Sequence, residues 1–451
     1  MSIFRLTAVF LLGTSVHFCG GAGYAQGTGS TPAVVTAGTE NAAKTPEGVK
    51  DYLLRTVKVT AAVRVRVEGP YKSDFTLTPA DVYSMTRVRL GVAYRPVSWL
   101  RIFAEGEDSR VQGYKVKGPT TLSDPFEFRQ GYVEIGAIEG EGVKVRAGRQ
   151  DLFIGSTRMI STGDWSNITK NFDVIRGTIT KGIVKVDLIA GSPVLDDPNR
   201  LDRNKPGEHF YVAYSTLSKL IPGASIEPYF MAKTAMNVKG KDGKLGDADT
   251  LYGGLRIVGT IPGGFDYNAE AVREGGDYGH DAVQAVGYAG GGGWTLAKAV
   301  GKPHFSSDFA WASGDSGRKD GHHQSFDYLY GSQQPITSLT GQVAWRNIAD
   351  WRAGVDFTPV KKLKVKVDFR DYWLATVQDG LYSGIGTRTV FNVKATSNHV
   401  GEGVETQLIW TLTSKMACGV GVGNLSPGSY LKQSGKTSGY VYPYLSFTRT
   451  L

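Results

Sequence analysis

Cysteine is almost missing from this chain: 451 residues hold two, Cys19 and Cys418. Once an N-terminal export segment carrying Cys19 is removed, a single thiol remains, which excludes an intramolecular disulfide framework. No run approaches about 20 uninterrupted apolar residues, which excludes a membrane-spanning helix. Extended 3.6-residue periodicity is also missing, which argues against the helical domains that a soluble chain of this length usually contains.

Catalytic and cofactor signatures are scarce as well. The sequence has no His-Glu-x-x-His, no Gly-x-Ser-x-Gly and no Cys-x-x-Cys, so the common metalloprotease, hydrolase and redox motifs are excluded. His322-His323 would point apart on a strand and sit in a polar tract, so a solvated loop is expected there and no metal site. Gly419 to Gly423 has no helical pattern after it, so it reads as a tightly packed strand and not as a phosphate loop. Glu105 and Glu107 could pair for glycoside cleavage, but alternating strands supply such pairs by chance. No cofactor is expected.

What the chain does have begins with an export signal. Arg5 precedes an apolar stretch, Leu6 to Phe18, and Gly23-Tyr24-Ala25 offers a small-x-small cleavage site. Phe18 stands before Cys19 where lipidation needs a small residue, so Cys19 belongs to the discarded signal, residues 1–25. Residues 26–54 are expected to be a flexible lead-in, rich in Gly, Thr, Ala and Pro up to about residue 50. Residues 55–451 show no composition break and read as one domain.

That domain is written in alternation. Val57, Val59, Ala61, Val63, Val65 and Val67 fall on one face of an extended chain; Lys58, Thr60, Arg64, Arg66 and Glu68 fall on the other. Similar patterns recur at 85–95, 143–148, 182–190, 251–258, 363–370 and 404–412. Turn-rich tracts such as Asp196 to Asn199, Lys239 to Asp247 and Gly314 to Gln324 separate them. Apolar outside and charged inside is the pattern of a transmembrane β-barrel, because lipid accepts only helices and closed barrels. The fold class expected is all-β: a closed antiparallel barrel in the outer membrane, with short periplasmic turns and longer external loops. Tyr94, Trp99, Trp373, Tyr382 and Tyr442 are candidates for the aromatic girdles.

Net charge is +9, of which Arg5 supplies one. The charge is spread along strands and not gathered in a patch, which argues against nucleic acid. Inward parity collects Arg64, Arg66, Arg87, Arg89, Lys144, Arg146, Arg176, Lys364, Lys366 and Arg370, opposed by Glu68, Glu105, Glu134, Asp187, Asp368 and Glu405. Singly, each basic group can be explained as an internal ion pair. As a set, their excess favours an anion path, since guanidinium groups grip carboxylate or phosphate bidentately.

Several motifs in order then carry a resemblance. They are Arg87-x-Arg89-x-Gly91, Phe103-x-Glu105-x-x-Asp108-x-Arg110, Tyr132-Val133-Glu134, Gly148-Arg149-Gln150-Asp151-Leu152, Gly155, Arg158, Asp164-Trp165-Ser166-Asn167 and Phe172-Asp173. Ala312-Ser313-Gly314-Asp315, Phe326, Leu329-Tyr330, Arg346-Asn347, Tyr372-Trp373-Leu374-Ala375 and Pro427-Gly428 continue them. From about residue 60 onward the chain resembles the alginate export family of outer-membrane barrels. The resemblance implies about 18 strands, a monomer and an electropositive constriction passing an acidic polysaccharide. Arg87, Arg89, Arg149, Arg158, Asp164 and Asn167 match its pore positions. Arg149 shares the parity of Val143 and Val145, so a bulge or strand end near Gly148 is needed to turn it inward. Gln333-Gln334 stands where the resemblance leads one to expect His. The pore lining expected is thus Arg64, Arg66, Arg87, Arg89, Glu105, Glu134, Arg146, Arg149, Arg158, Asp164, Asn167 and Arg176. Partners would be an acidic polysaccharide or small anions, outer-membrane lipid, and periplasmic export proteins. A porin for small anions, an outer-membrane enzyme and an adhesin are the alternatives.

Overall fold

The computed structural model describes residues 48–115, 122–317 and 320–451. The expected signal, 1–25, and lead-in residues 26–47 lie outside the described residues. A short helix, α1 (Val49–Thr56), precedes the first strand, and its Tyr52 hydroxyl lies 2.8 Å from that of Tyr94.

Eighteen long strands follow. They are β1 (Val57–Glu68), β2 (Tyr83–Val97), β3 (Leu100–Gln112), β4 (Asp124–Gly136), β5 (Gly142–Gln150) and β6 (Phe172–Lys181). Next come β7 (Val184–Leu195), β8 (Glu208–Ser218), β9 (Ala224–Lys239), β10 (Leu245–Ile261), β11 (Phe265–Tyr278) and β12 (Asp281–Thr295). The last six are β13 (His304–Ala312), β14 (Ile348–Val360), β15 (Leu363–Trp373), β16 (His399–Thr413), β17 (Met416–Pro427) and β18 (Tyr440–Thr450). Each pairs antiparallel with its successor, and β18 returns to pair with β1 from Ala62↔Thr450 to Glu68↔Tyr444, closing the barrel.

One end carries only short turns, such as 98–99, 182–183, 361–362 and 414–415; the other carries 151–171, 313–347 and 374–398. The short-turn end is therefore periplasmic and the long-loop end external. Parity follows the sequence pattern. Val59, Val88, Leu90, Val143, Val145, Leu255, Leu408 and Trp410 are exposed on the outer face, where lipid covers them. Arg66, Arg87, Asp187, Lys366, Asp368, Arg370 and Glu405 are buried inside. A slip of one residue would send an arginine such as Arg64 into lipid, at about 2–4 kcal/mol near the midplane. Several such penalties fix the register.

Two expectations change. Tyr442 is buried in the lumen with Tyr440 and Tyr444, and Tyr382 belongs to an inward loop, so neither joins a girdle; Trp99 stays exposed beside its periplasmic turn. The tract 239–247 carries the expected turn, 240–244, between the ends of β9 and β10. His322 and His323 pair with Ala282 and Val283, and the His323 ring stacks on Tyr278 at 4.7 Å, so they form part of a folded loop.

The lumen is not an open tube. Loops 151–171 and 313–347 fold inward and meet, with Ile160 bridged to Tyr330 and the Tyr330 amide donating to the Met159 carbonyl at 2.9 Å. Leu152, Met159, Ile160, Phe326, Leu339, Val343 and Trp345 make a buried apolar cluster between the walls.

Candidate pore and its basic lining

Arg64 on β1 lies directly opposite Arg87 on β2. Two like charges so placed repel, and loop 151–171 resolves the conflict by bringing acceptors to both. Arg64 donates to the carbonyls of Asp164 (2.6 Å) and Ser166 (2.7 Å). Arg66 donates to the Trp165 carbonyl at 2.6 Å, with its guanidinium 4.6 Å from the Trp165 ring centre. Arg87 reaches the Ser166 carbonyl at 3.0 Å and the Asp164 carboxylate at 2.8 Å. Arg89 bridges Asp164 at 3.1 Å and Glu107 at 2.5 Å. The planar guanidinium fork makes such multiple contacts possible; lysine could not replace them all. Trp165 also packs edge-on against Tyr444 at 5.0 Å. Gly421 permits this, since a Cβ there would lie 2.4 Å from the Tyr444 ring. Removal from water works to raise the Asp164 carboxyl, but Arg87, Arg89 and Arg64 outweigh it and hold it well below the usual carboxylate range.

Charge is balanced here. Arg64, Arg66, Arg87, Arg89 and Arg129 meet Glu68, Glu105, Glu107, Asp151 and Asp164, through contacts such as Arg66–Glu68 at 2.6 Å and Arg129–Glu105 and Arg129–Asp151 at 2.7 Å. Toward the periplasmic mouth the balance fails. Arg101, Lys144, Arg146, Arg176 and Lys185 line β3 to β7 on the inward parity, with only Glu134 and Asp187 between them. Glu134 accepts from Arg146 at 2.6 Å and lies 3.4 Å from Arg101; Asp187 accepts from Arg176 at 2.9 Å and lies 3.3 Å from Lys185. Tyr132 supports Arg146 from below its guanidinium at 4.3 Å.

The wall across the lumen uses the opposite chemistry. Glu270 on β11 accepts from Ser156 (2.5 Å) and Tyr229 (2.9 Å), and Glu208 accepts from the Tyr330 hydroxyl at 2.8 Å. Glu274 accepts from the Asp327 amide at 2.8 Å. Lys233 pairs with Asp327 at 2.9 Å, and Arg346 lies 3.4 Å away. Burial works to raise the Asp327 carboxyl, yet Lys233 and Arg346 lower it to about 2. Arg370 pairs with Asp350 at 2.9 Å and Glu405 at 3.3 Å.

The description "Alginate export" belongs to a family model that matches residues 55–442. This chain belongs to the alginate export family. No curated protein matches it. Among solved structures, a BenF-like porin from Pseudomonas fluorescens Pf-5 is 10% identical with a TM-score of 0.61, over 88% of this chain and 98% of that one. OpdQ from Pseudomonas aeruginosa is 11% identical at a TM-score of 0.61, with the same coverage. OccK11 (OpdR) from the same organism is 10% identical at 0.56, over 88% and 96%. These likenesses show the fold. Family and fold are those of passive outer-membrane pores, and the outer membrane is the location.

Within this alginate export barrel the expected lining residues separate into groups. Arg64, Arg66, Arg87, Arg89, Glu105 and Asp164 come together, and Glu134, Arg146 and Arg176 form the lower group. Arg158 is buried among the inward loops, 5.4 Å from the Trp345 ring centre. Asn167 is 1% exposed and donates to the carbonyls of Thr86, Arg110 and Leu122, so it pins the loop to the strand ends and does not line the path. Arg149 is a correction too. The β5 register runs without a shift, so Arg149 keeps outward parity and pairs with Asp173 at 2.9 Å at the external strand end. Gly148, at φ +125°, does not turn it inward.

Arg129 was not expected inside. Alternation from Glu134 places Gln130 inward and Arg129 outward, but a register shift between Glu105 and Gly106 leaves Arg129 as the extra residue and turns it in. It is 3% exposed and holds three carboxylates, Glu105, Glu107 and Asp151. The one sequence clue was the surplus of acids near it, which needed a cation.

Proposed function

We propose that this protein is an anion-selective pore through which an acidic exopolysaccharide of the alginate type leaves the cell passively, as a monomer. The observation that carries this reading is the unbalanced periplasmic group on the β3–β7 wall, five cations against two carboxylates at the end where a polymer enters. A stretch of positive potential there concentrates a polyanion, and several neighbouring weak sites let its carboxylates move from one to the next without trapping it. Farther out, Arg87 and Arg89 share their contacts with Asp164, so an arriving carboxylate competes with that side chain for them. A periplasmic export partner delivering the polymer would dock at the short-turn end. The reading includes no catalysis. Glu105 and Glu107, the paired acids, are both held by Arg129, at 2.7 and 2.9 Å.

Single-channel recording in a planar bilayer tests this. The reversal potential in a salt gradient should show anion preference, and polyuronate added on the periplasmic side should block the current in a salt-dependent way. Cation preference, or indifference to polyuronate, would overturn the reading.

A further inference from the structure

At the external end of β4, Asp124 and Glu127 meet Asp202 from the loop 196–207. One carboxylate oxygen from each lies within 4.8 Å of the other two. The side chain of Asp124 is the anomaly. Asp124 is 5% exposed, and among the described residues no hydrogen bond or ion pair reaches its carboxylate. Its two neighbours are otherwise engaged. Glu127 accepts from the amides of Phe128 (2.8 Å) and Asp202 (3.1 Å), and Asp202 accepts from the Asp197 amide at 2.8 Å. Among the described residues the nearest cation, Arg149, lies 3.7 Å from Glu127 but is bound to both oxygens of Asp173, at 2.9 and 3.0 Å. A buried carboxylate facing two others, with no donor of its own, is costly unless a positive charge stands between them.

We propose that Asp124, Glu127 and Asp202 form a calcium site that fastens loop 196–207 to β4 across the ends of β5 and β6. The donors are all carboxylate oxygens, with no histidine or thiolate among them, which selects a hard cation. Calcium–oxygen distances of about 2.3–2.6 Å allow ligands on opposite sides of one ion to stand about 4.6–5.2 Å apart. The three oxygens here, all within 4.8 Å of one another, fall inside that span. Magnesium demands near-ideal octahedral geometry and gives up its waters reluctantly, so it is the poorer fit to a site of three protein carboxylates. The position is at the external surface, where sites of weak affinity, with Kd on the order of 0.1–1 mM, are sufficient. The ion would bind the native barrel and stabilise it in proportion to its concentration above Kd.

The test is isothermal titration of calcium chloride into the whole chain, refolded in detergent free of lipopolysaccharide and cleared of metal by chelation, with the unfolding temperature read in parallel. One saturable site is expected, with the unfolding temperature rising as calcium is added. Magnesium should bind at least ~10-fold more weakly. Asp124→Asn and Asp202→Asn should each weaken calcium binding by ~10-fold or more, and Asp242→Asn, in a different external loop, should not. Heat-dependent gel mobility confirms that each variant forms a barrel, and Asp202→Asn carries the test if Asp124→Asn does not fold. No saturable binding by the unmodified chain would overturn the proposal. So would an Asp124→Asn barrel that titrates like the unmodified one, or one that is more stable than it while both ignore calcium, since the acids would then simply share a proton.

Discussion

Arginine does two different jobs at two heights in this barrel. In the external half, Arg64, Arg66 and Arg87 hold the main chain of an inward loop through the carbonyls of residues 164–166. In the periplasmic half, Arg101, Arg146 and Arg176 share two carboxylates and leave positive charge over. Residue type and inward parity are the same in both places. What differs is the supply of acceptors, and that supply decides whether a guanidinium braces the fold or attracts a solute.

The sharpest way to separate the halves is to unpack the loops without touching a charge. Trp345→Ala removes a fully buried ring that packs against Phe326 at 5.1 Å and donates to the Trp311 carbonyl. It should cost about 3–5 kcal/mol, read as a lower denaturant midpoint. Conductance should rise while the lower group keeps the pore anion-selective; a loss of selectivity would mean that the loops, and not the lower wall, set it.

A smaller effect should follow from Arg87→Ala with Arg89→Ala. This pair frees Asp164 and leaves Glu107 with Arg129, and each lost charged hydrogen bond is worth about 1.5–3 kcal/mol. Alanine should weaken anion selectivity and polyuronate block together, with noisier current as the loop loosens. Arg87→Lys with Arg89→Lys should keep most selectivity while weakening block, because a point charge cannot hold two acceptors at once. Unchanged block in both variants would reduce these arginines to bracing.

Acid should loosen the far wall next. The Asp327 carboxyl, lowered to about 2 by Lys233 and Arg346 against the opposing pull of burial, has a folded value below its unfolded one of about 3.9. Its stabilising contribution is therefore complete above about pH 4 and is lost as pH falls through about 2. Unfolding midpoints measured between pH 5 and pH 2 should fall in the unmodified protein and flatten in Asp327→Asn.

The mildest change is Lys144→Gln with Lys185→Gln. Lys144 makes no ion pair among the described residues, and the Lys185 side chain is 44% exposed. Stability should move by less than about 0.5 kcal/mol, while the reversal potential shifts toward neutrality. If it does not shift, the excess charge of the lower half is not what ions sense.

Alternation made most of the walls legible, because lipid penalises a misplaced charge directly and the period-two pattern records that penalty. Val88, Leu90 and Val92 set Arg87 and Arg89 inward by alternation alone. Three things escaped that logic. Arg129 reaches the lumen through a bulge, which breaks parity without leaving a mark in the hydrophobic pattern. Asn167 has the side chain of a pore lining, but its partners come from segments distant in sequence, and spacing cannot reveal which partner wins. The resemblance alone puts Arg149 inward; alternation has it outward, where the structure keeps it. Tyr442 has the composition of a girdle residue, yet it shares the inward face of its strand with Tyr440 and Tyr444, and the Tyr440 ring lies 6.4 Å from its own. The acidic cluster at Asp124, Glu127 and Asp202 joins residues from two external segments and had no sequence signature at all.

The closing seam has a consequence for how such a protein can come into being. β1 finds its second neighbour only in β18, almost the whole described length of the chain away. Until the final strand arrives, every intermediate carries two raw edges whose amides and carbonyls have no partners, a hazard in lipid and an invitation to aggregate in water. Closure is therefore a late, entropically demanding event, and deleting the last strand would leave an open sheet, not a slightly smaller barrel.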